Sequence, residues 1–232
     1  MPNNPQLFCF TYAGGTAGFF DVIEKDLEGI ECIKFEYAGH GERHRQEFYQ
    51  DFDELADDLF DQLKFRYNGG NYGLFGYSMG TISLVEVLRR IMDDRITLPT
   101  NIFLAAHEPH TKTDLTGFSA DELDEWVKKR TIRFGAVPEK LLNNKVFWRT
   151  YLPVYRADYS IISKYEFEKL NIQSDIPATV FYSESDTPKT DMLLWEKYFS
   201  CEFFQFSGTH FFIQEHHKEV AEIIGTKMGV KS

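Results

Sequence analysis

The sequence predicts an α/β protein: a mainly parallel sheet with helices on both faces, interrupted by a helical insertion. Three observations lead there. Short apolar runs bounded by turn signals alternate with amphipathic stretches at both ends of the 232-residue chain. From about residue 107 to residue 170 no convincing strand is found, only helical stretches. A serine flanked by glycines, in Gly76-Tyr77-Ser78-Met79-Gly80, sits where a strand pattern gives way to a helix pattern.

The elements follow in order. Residues 6–12 ("QLFCFTY") read as a strand and 19–27 as a helix. Residues 31–37 ("ECIKFEY") form a second strand. Residues 51–65 are helical, with Phe52, Leu55, Leu59, Phe60 and Leu63 at spacings of three to four. A third strand covers 72–75, and the helix 79–92 follows with Ile82, Val85, Leu88 and Met92 on one face. Residues 101–106 ("NIFLAA") close the first half as a strand. In the insertion, residues 119–132 open with Ser119 and Glu122 at capping-box spacing. Residues 138–148 and 158–170 suggest two further helices. The rhythm then resumes: strand 178–183, a helix around 191–199, strand 202–206 and helix 216–228. The whole reads as a single domain, 1–232, with a helical lid inserted at about 107–170, over the carboxyl edge where open α/β sheets bind ligands.

Composition narrows the function classes. A net charge of −11 argues against nucleic acid and anionic membrane as partners, since both select basic patches. No apolar run is long enough to span a bilayer, and "MPNNPQLFCF" lacks the features of a signal peptide, so a cytoplasmic location is expected. Cys9, Cys32 and Cys201 are odd in number and widely spaced, which suits free thiols rather than a disulfide frame or a zinc site. The 22 Phe and 12 Tyr suit either core filling or an apolar cavity.

By composition G-x-S-x-G arises by chance in roughly one chain in fifteen of this length, so context must decide. The context is strand–turn–helix, which a nucleophile elbow needs to lift a serine Oγ above the sheet edge. A serine hydroxyl also needs a base. Of seven histidines, His210 fits: it is late and lies in the loop "FSGTHFF" after the last predicted strand. His40 and His44 sit in a charged loop, His107 and His110 flank Pro109, and His216 and His217 read as solvated residues at a helix start. The acid should fall in "FYSESDTPK"; Asp186 is preferred and Glu184 is the second choice, while Asp191 reads as a helix-start carboxylate. The order Ser78, Asp186, His210 is that of an α/β-hydrolase. The glycine turn Ala13-Gly14-Gly15 after the first strand can bring the Ala13 N–H beside the Met79 N–H as an oxyanion site.

Five segments resemble the type II thioesterases, the stand-alone editing thioesterases of non-ribosomal peptide and polyketide synthesis. They are "LFCFTYAGG", "YAGHGER", "LFGYSMGT", "LPVYRADYSIISKY" and "FSGTHFF", which together reach from Leu7 to Phe212. The Arg-Ala-Asp stretch is the most telling, because a generic esterase has no reason to carry it. The resemblance implies an α/β-hydrolase fold, Ser78, Asp186 and His210 as triad, Ala13 and Met79 as backbone oxyanion donors, and a mobile helical lid. Tyr77 stands where the family has a histidine, and is expected to face away from the reacting carbonyl with little effect. Thr209 replaces a glycine and Ala38 a proline; "AAHEPH" also departs from the family pattern at the lid base.

The expected activity is hydrolysis of acyl thioesters on the phosphopantetheine arm of a carrier protein acting in trans. The enzyme needs no cofactor of its own and is expected to be a monomer. A carboxylester or medium-chain acyl thioester hydrolase acting on small free substrates is the alternative. Lys128, Lys129, Arg130 and Arg133 in "KKRTIR" offer a basic patch for an acidic carrier, although a solvated helix face explains the same residues.

Overall fold

Strand-forming runs that are apolar on both faces belong inside a parallel sheet, and here they form one. The computed structural model describes residues 3–110, 114–115 and 117–230. Its strands are β1 (Gln6–Phe10), β2 (Glu31–Lys34), β3 (Tyr72–Tyr77), β4 (Asn101–Ala105), β5 (Ser174–Ser183) and β6 (Phe199–Phe206). Its helices are α1 (Asp21–Glu24), α2 (Phe52–Arg66), α3 (Met79–Asp93), α4 (Ala120–Arg133), α5 (Lys145–Lys164), α6 (Lys189–Met192) and α7 (His217–Lys227). The sheet order is β2-β1-β3-β4-β5-β6, and neighbouring strands pair in parallel throughout. The chain runs outward from β1 to β2, returns to β3, and proceeds the other way to β6. The crevice at the carboxyl ends of β1 and β3 is therefore the topological switch point, where such sheets bind ligands.

Alternation along the strands divides the core in two. Phe8, Phe10 and Leu74 face a cluster with α2, α3 and α5. Leu7, Cys9, Phe75 and Phe103 face the other, closed by Phe20 from the 3-10 turn before α1, Ile23 from α1, and Val220 and Ile224 from α7. Both faces are dry, which accounts for the unbroken burial of β1, β3 and β4.

Two stretches differ from the sequence reading. Residues 138–148 and 158–170 are not two helices: a single 20-residue helix, α5, spans most of that region with Pro153 inside it. The Asn144 side chain accepts from the amides of Val146 and Phe147 and starts the helix late. Buried Trp148, Leu152, Tyr155 and Tyr159, spaced by three and four, hold it past the proline. The expected helix 19–27 shrinks to a 3-10 turn and the one turn of α1, and that at 191–199 to one turn of α6 and a 3-10 turn. The capping box at Ser119 and Glu122 forms as its spacing predicts. Among the described residues no helix is long and apolar enough to cross a membrane.

Candidate active site

The tight packing of β3, α3 and β1 shapes the elbow. A Cβ on Gly76 would overlap the Gly80 backbone, and one on Gly80 would overlap the Phe10 carbonyl of β1. Only glycine at both positions lets the chain reverse between strand and helix so sharply. Ser78, at the corner, has φ 54° and ψ −120°, a conformation costly for an L residue. Three hydrogen bonds hold it there: its amide donates to Ala105 O (2.8 Å), and its carbonyl accepts from the amide (2.9 Å) and hydroxyl (2.8 Å) of Thr81.

The late loops bring two partners to this corner. Ser78 Oγ lies 3.0 Å from His210 Nε2. His210 Nδ1 lies 2.9 Å and 3.0 Å from the two carboxylate oxygens of Asp186. An Nδ1–H donated to Asp186 leaves Nε2 free to accept from the serine hydroxyl, the tautomer a general base requires. The amides of Asp186 and Thr187 donate to Ser183 O, which fixes the turn after β5. The buried Tyr77 hydroxyl donates to the His210 carbonyl (2.6 Å), and the Ser183 hydroxyl to that of Gly208. Tyr77 therefore faces away from Ser78 but holds the histidine loop, so the expectation of little effect gives way to a positioning role. Burial, with the Asp186 charge, pushes its phenol well above the usual range, so it stays a donor.

Glu184, the second choice for the acid, is exposed and accepts from the Lys189 amide instead. His217 is half-buried against Asp26 (2.6 Å) and His216 contacts Ser207, so neither is merely solvated. His40, placed by its sequence in a charged loop, is buried.

Ala13 and Ser78 open onto a cavity of about 220 Å³. Gly15 N–H donates to Tyr12 O and Gly14 N–H to Asp158, and of the three residues of this turn Ala13 is the one that lines the cavity with Ser78. Met79 is the first residue of α3, so its N–H has no acceptor within the helix.

Most of the cavity wall comes from between β4 and β5, and here the sequence reading fell short. Phe134 stacks on His210, with centroids 4.3 Å apart. Arg130 lines the cavity and lies over the rings of Trp126, Phe134 and Tyr159. It therefore leaves the basic surface it was grouped with, while Lys129 stays exposed. His107 also lines the cavity; burial pushes its imidazole below the ordinary range, against the raising effect of Glu108. Helical spacing around Trp126 was the available signal for Arg130 and Phe134, at positions four and eight along one face.

The model of the thioesterase domain family matches residues 5–228. The chain is 27% identical over 224 residues to the S-acyl fatty acid synthase thioesterase, medium chain, of Rattus norvegicus, covering 92% of this chain and 83% of the other. It is 26% identical to the type II thioesterase BorB from the borrelidin biosynthetic cluster, with a TM-score of 0.83 over 98% of this chain and 94% of the other. ClbQ from the colibactin NRPS/PKS pathway shares the fold, with a TM-score of 0.85 at 24% identity over 97% of each chain. With the family match running from before β1 to the end of α7, this chain belongs to the thioesterase domain family, as a thioester hydrolase on the α/β-hydrolase fold similar to type II thioesterases.

Proposed function

We propose that the protein removes acyl groups from the phosphopantetheine arm of a carrier protein, acting in trans as an editing enzyme. Ser78, His210 and Asp186 are the reacting triad in this reading. The observation that carries it is the relay of 3.0 Å and 2.9 Å contacts from Ser78 Oγ through His210 to Asp186, on a strained elbow that opens into a cavity. Ser78 Oγ attacks the thioester carbonyl while His210 takes its proton. The amides of Ala13 and Met79 hold the oxyanion. The C–S bond breaks, and the pantetheine thiolate leaves with the proton from His210. Water, deprotonated by His210, then releases the acid and restores Ser78.

The cavity supports a short acyl group. At about 220 Å³ it falls below the roughly 300–1,000 Å³ of drug-sized ligand sites. The helical segment at 107–170 acts as the lid of one hydrolase domain in this reading. The protein acts as a cytoplasmic monomer and needs no cofactor beyond the arm its substrate carries.

The test is a panel of acyl groups on one phosphopantetheinylated carrier, with release followed by intact-protein mass. Release of short acyl groups by wild type and none by Ser78→Ala is expected. Unchanged release by Ser78→Ala removes Ser78 from the mechanism. The similarity to a medium-chain thioesterase favours medium-chain acyl groups; the second reading is a medium-chain acyl thioester hydrolase or carboxylesterase acting on small free substrates. Equal turnover of carrier-bound and free forms of one acyl group would support it, and matched oxygen esters identify a carboxylesterase.

A further inference from the structure

The second loop and the Arg-Ala-Asp segment take no part in the proposed chemistry, yet they meet at the oxyanion turn. Asp158 Oδ2 on α5 accepts from the Gly14 amide at 2.6 Å. The same oxygen lies 3.0 Å from His40 Nε2. His40 Nδ1 lies 3.0 Å from the Ala38 carbonyl oxygen. Both side chains are buried, at 2% and 5% exposure. A carbonyl and an ionised carboxylate only accept, so beside them both ring nitrogens donate, the imidazolium form that the same neighbours favour. A buried carboxylate is thus matched by a buried cation and an amide, as charges out of water require.

The helix also touches the turn a second way. Gly14 has φ 75°, and the Tyr155 ring, one helical turn before Asp158, fills the place of its missing side chain. Arg156, on a different face of α5, pairs with Asp124 of α4 at 2.5 Å. The Arg-Ala-Asp stretch therefore links α4, α5 and the turn that carries Ala13.

We propose that Asp158 and His40 are positioning residues for the oxyanion site: the charged pair fixes the Gly14 amide, and through it the neighbouring Ala13 amide, only while α5 is docked. The inference rests on the function proposed above. It makes the position of α5 and the assembly of the oxyanion site one event.

The groups facing His40 set the sign of its pH dependence. Asp158 faces it from α5, and Glu36 and Tyr37 from the stretch after β2; Tyr37 in turn hydrogen-bonds Ser83 of α3, and Phe48 supplies an uncharged edge. Burial alone would lower the imidazole, but the charge and hydrogen bond of Asp158, the Ala38 carbonyl and Glu36 together raise it. A raised histidine keeps its contribution below the ordinary histidine range and loses it as pH rises through its own higher value. The alkaline fall belongs to His40.

The experiment uses the full chain, a short acyl N-acetylcysteamine thioester, and a short-chain alkyl trifluoromethyl ketone. Ser78 Oγ adds to the ketone carbon, its proton passes to His210, and the ketone oxygen becomes a bound oxyanion. Asp158→Asn is expected to lower kcat about ten- to hundredfold, less than or equal to the loss of a whole oxyanion donor, with KM little changed. Its affinity for the ketone should fall by a similar factor. His40→Gln, which keeps a donor but cannot titrate, should recover part of kcat and lose the alkaline limb. Thermal melts accompany each variant; if Asp158→Asn does not fold, His40→Gln carries the test. Wild-type kcat with an unchanged alkaline limb in either folded variant overturns the proposal, as does a loss confined to KM. Should wild type leave the thioester untouched, the proposed function falls, and the ketone series still decides the pair: equal affinity in wild type and variants overturns it.

Discussion

Phe134 lies nearly flat on the imidazole of His210, with ring centroids 4.3 Å apart and 26° between the planes. The contact joins the end of α4 to the base of the proposed triad. Aromatic pairs of this kind contribute about 0.5–1.5 kcal/mol beyond area, so Phe134→Ala should lower kcat about two- to tenfold. Phe134→Leu, which still covers the ring, should lose less. Steady-state kinetics on a short acyl thioester separates the two; equal kcat in all three proteins refutes the role.

Tyr77→Phe removes the donor to the His210 carbonyl while keeping the ring in the core. A buried acceptor left unpaired costs about 1–3 kcal/mol. The urea midpoint should fall accordingly, and kcat should drop with KM steady, because the histidine loop loses its anchor. A variant as stable and as fast as wild type contradicts this.

Arg130 lies over three aromatic rings, at 5.2 Å, 4.9 Å and 5.8 Å from their centroids. Each such contact is worth about 0.5–1 kcal/mol where exposed and more where dry. Arg130→Ala should loosen α4 and speed proteolytic cleavage between residues 114 and 170. Arg130→Lys should recover only part, because an ammonium lacks the flat face that stacks. Cleavage at the wild-type rate in Arg130→Ala would show that the rings hold α4 without it.

Lys129 remains on the exposed face of α4. Lys129→Glu should weaken turnover of carrier-bound acyl groups several-fold at low salt and spare small thioesters, with the difference fading as salt screens the contact. A loss of equal size on both substrates would place the effect in the active site rather than in docking.

The sheet was legible because β1, β3 and β4 are short runs buried on both faces and glycines follow β1 and β3 closely, a pattern helices do not produce. That Ser78, Asp186 and His210 come together was legible because each follows a strand, at β3, β5 and β6, where topology brings the loops to one edge. The cavity wall was not. Arg130 and Phe134 read as ordinary members of an amphipathic helix until its docking against His210 is seen. His40 read only as a member of a charged loop because its partner Asp158 lies 118 residues away. Local sequence carries no record of a partner so distant. Helix α5 was split at its middle for a similar reason: burial of its apolar stripe outweighs the hydrogen bond Pro153 omits.

The division of labour along the chain has a consequence for exchange between relatives. The proposed reacting groups hang from the ends of strands, whereas most of the cavity wall beside them is encoded in one continuous stretch between β4 and β5. Swapping that stretch should transplant substrate preference while leaving the bond-breaking step in place. One condition travels with the graft: it must bring an aspartate that meets His40 and Gly14 of the recipient. Chimeras that ignore it should fold around the new chamber and turn over slowly whatever acyl group they are offered.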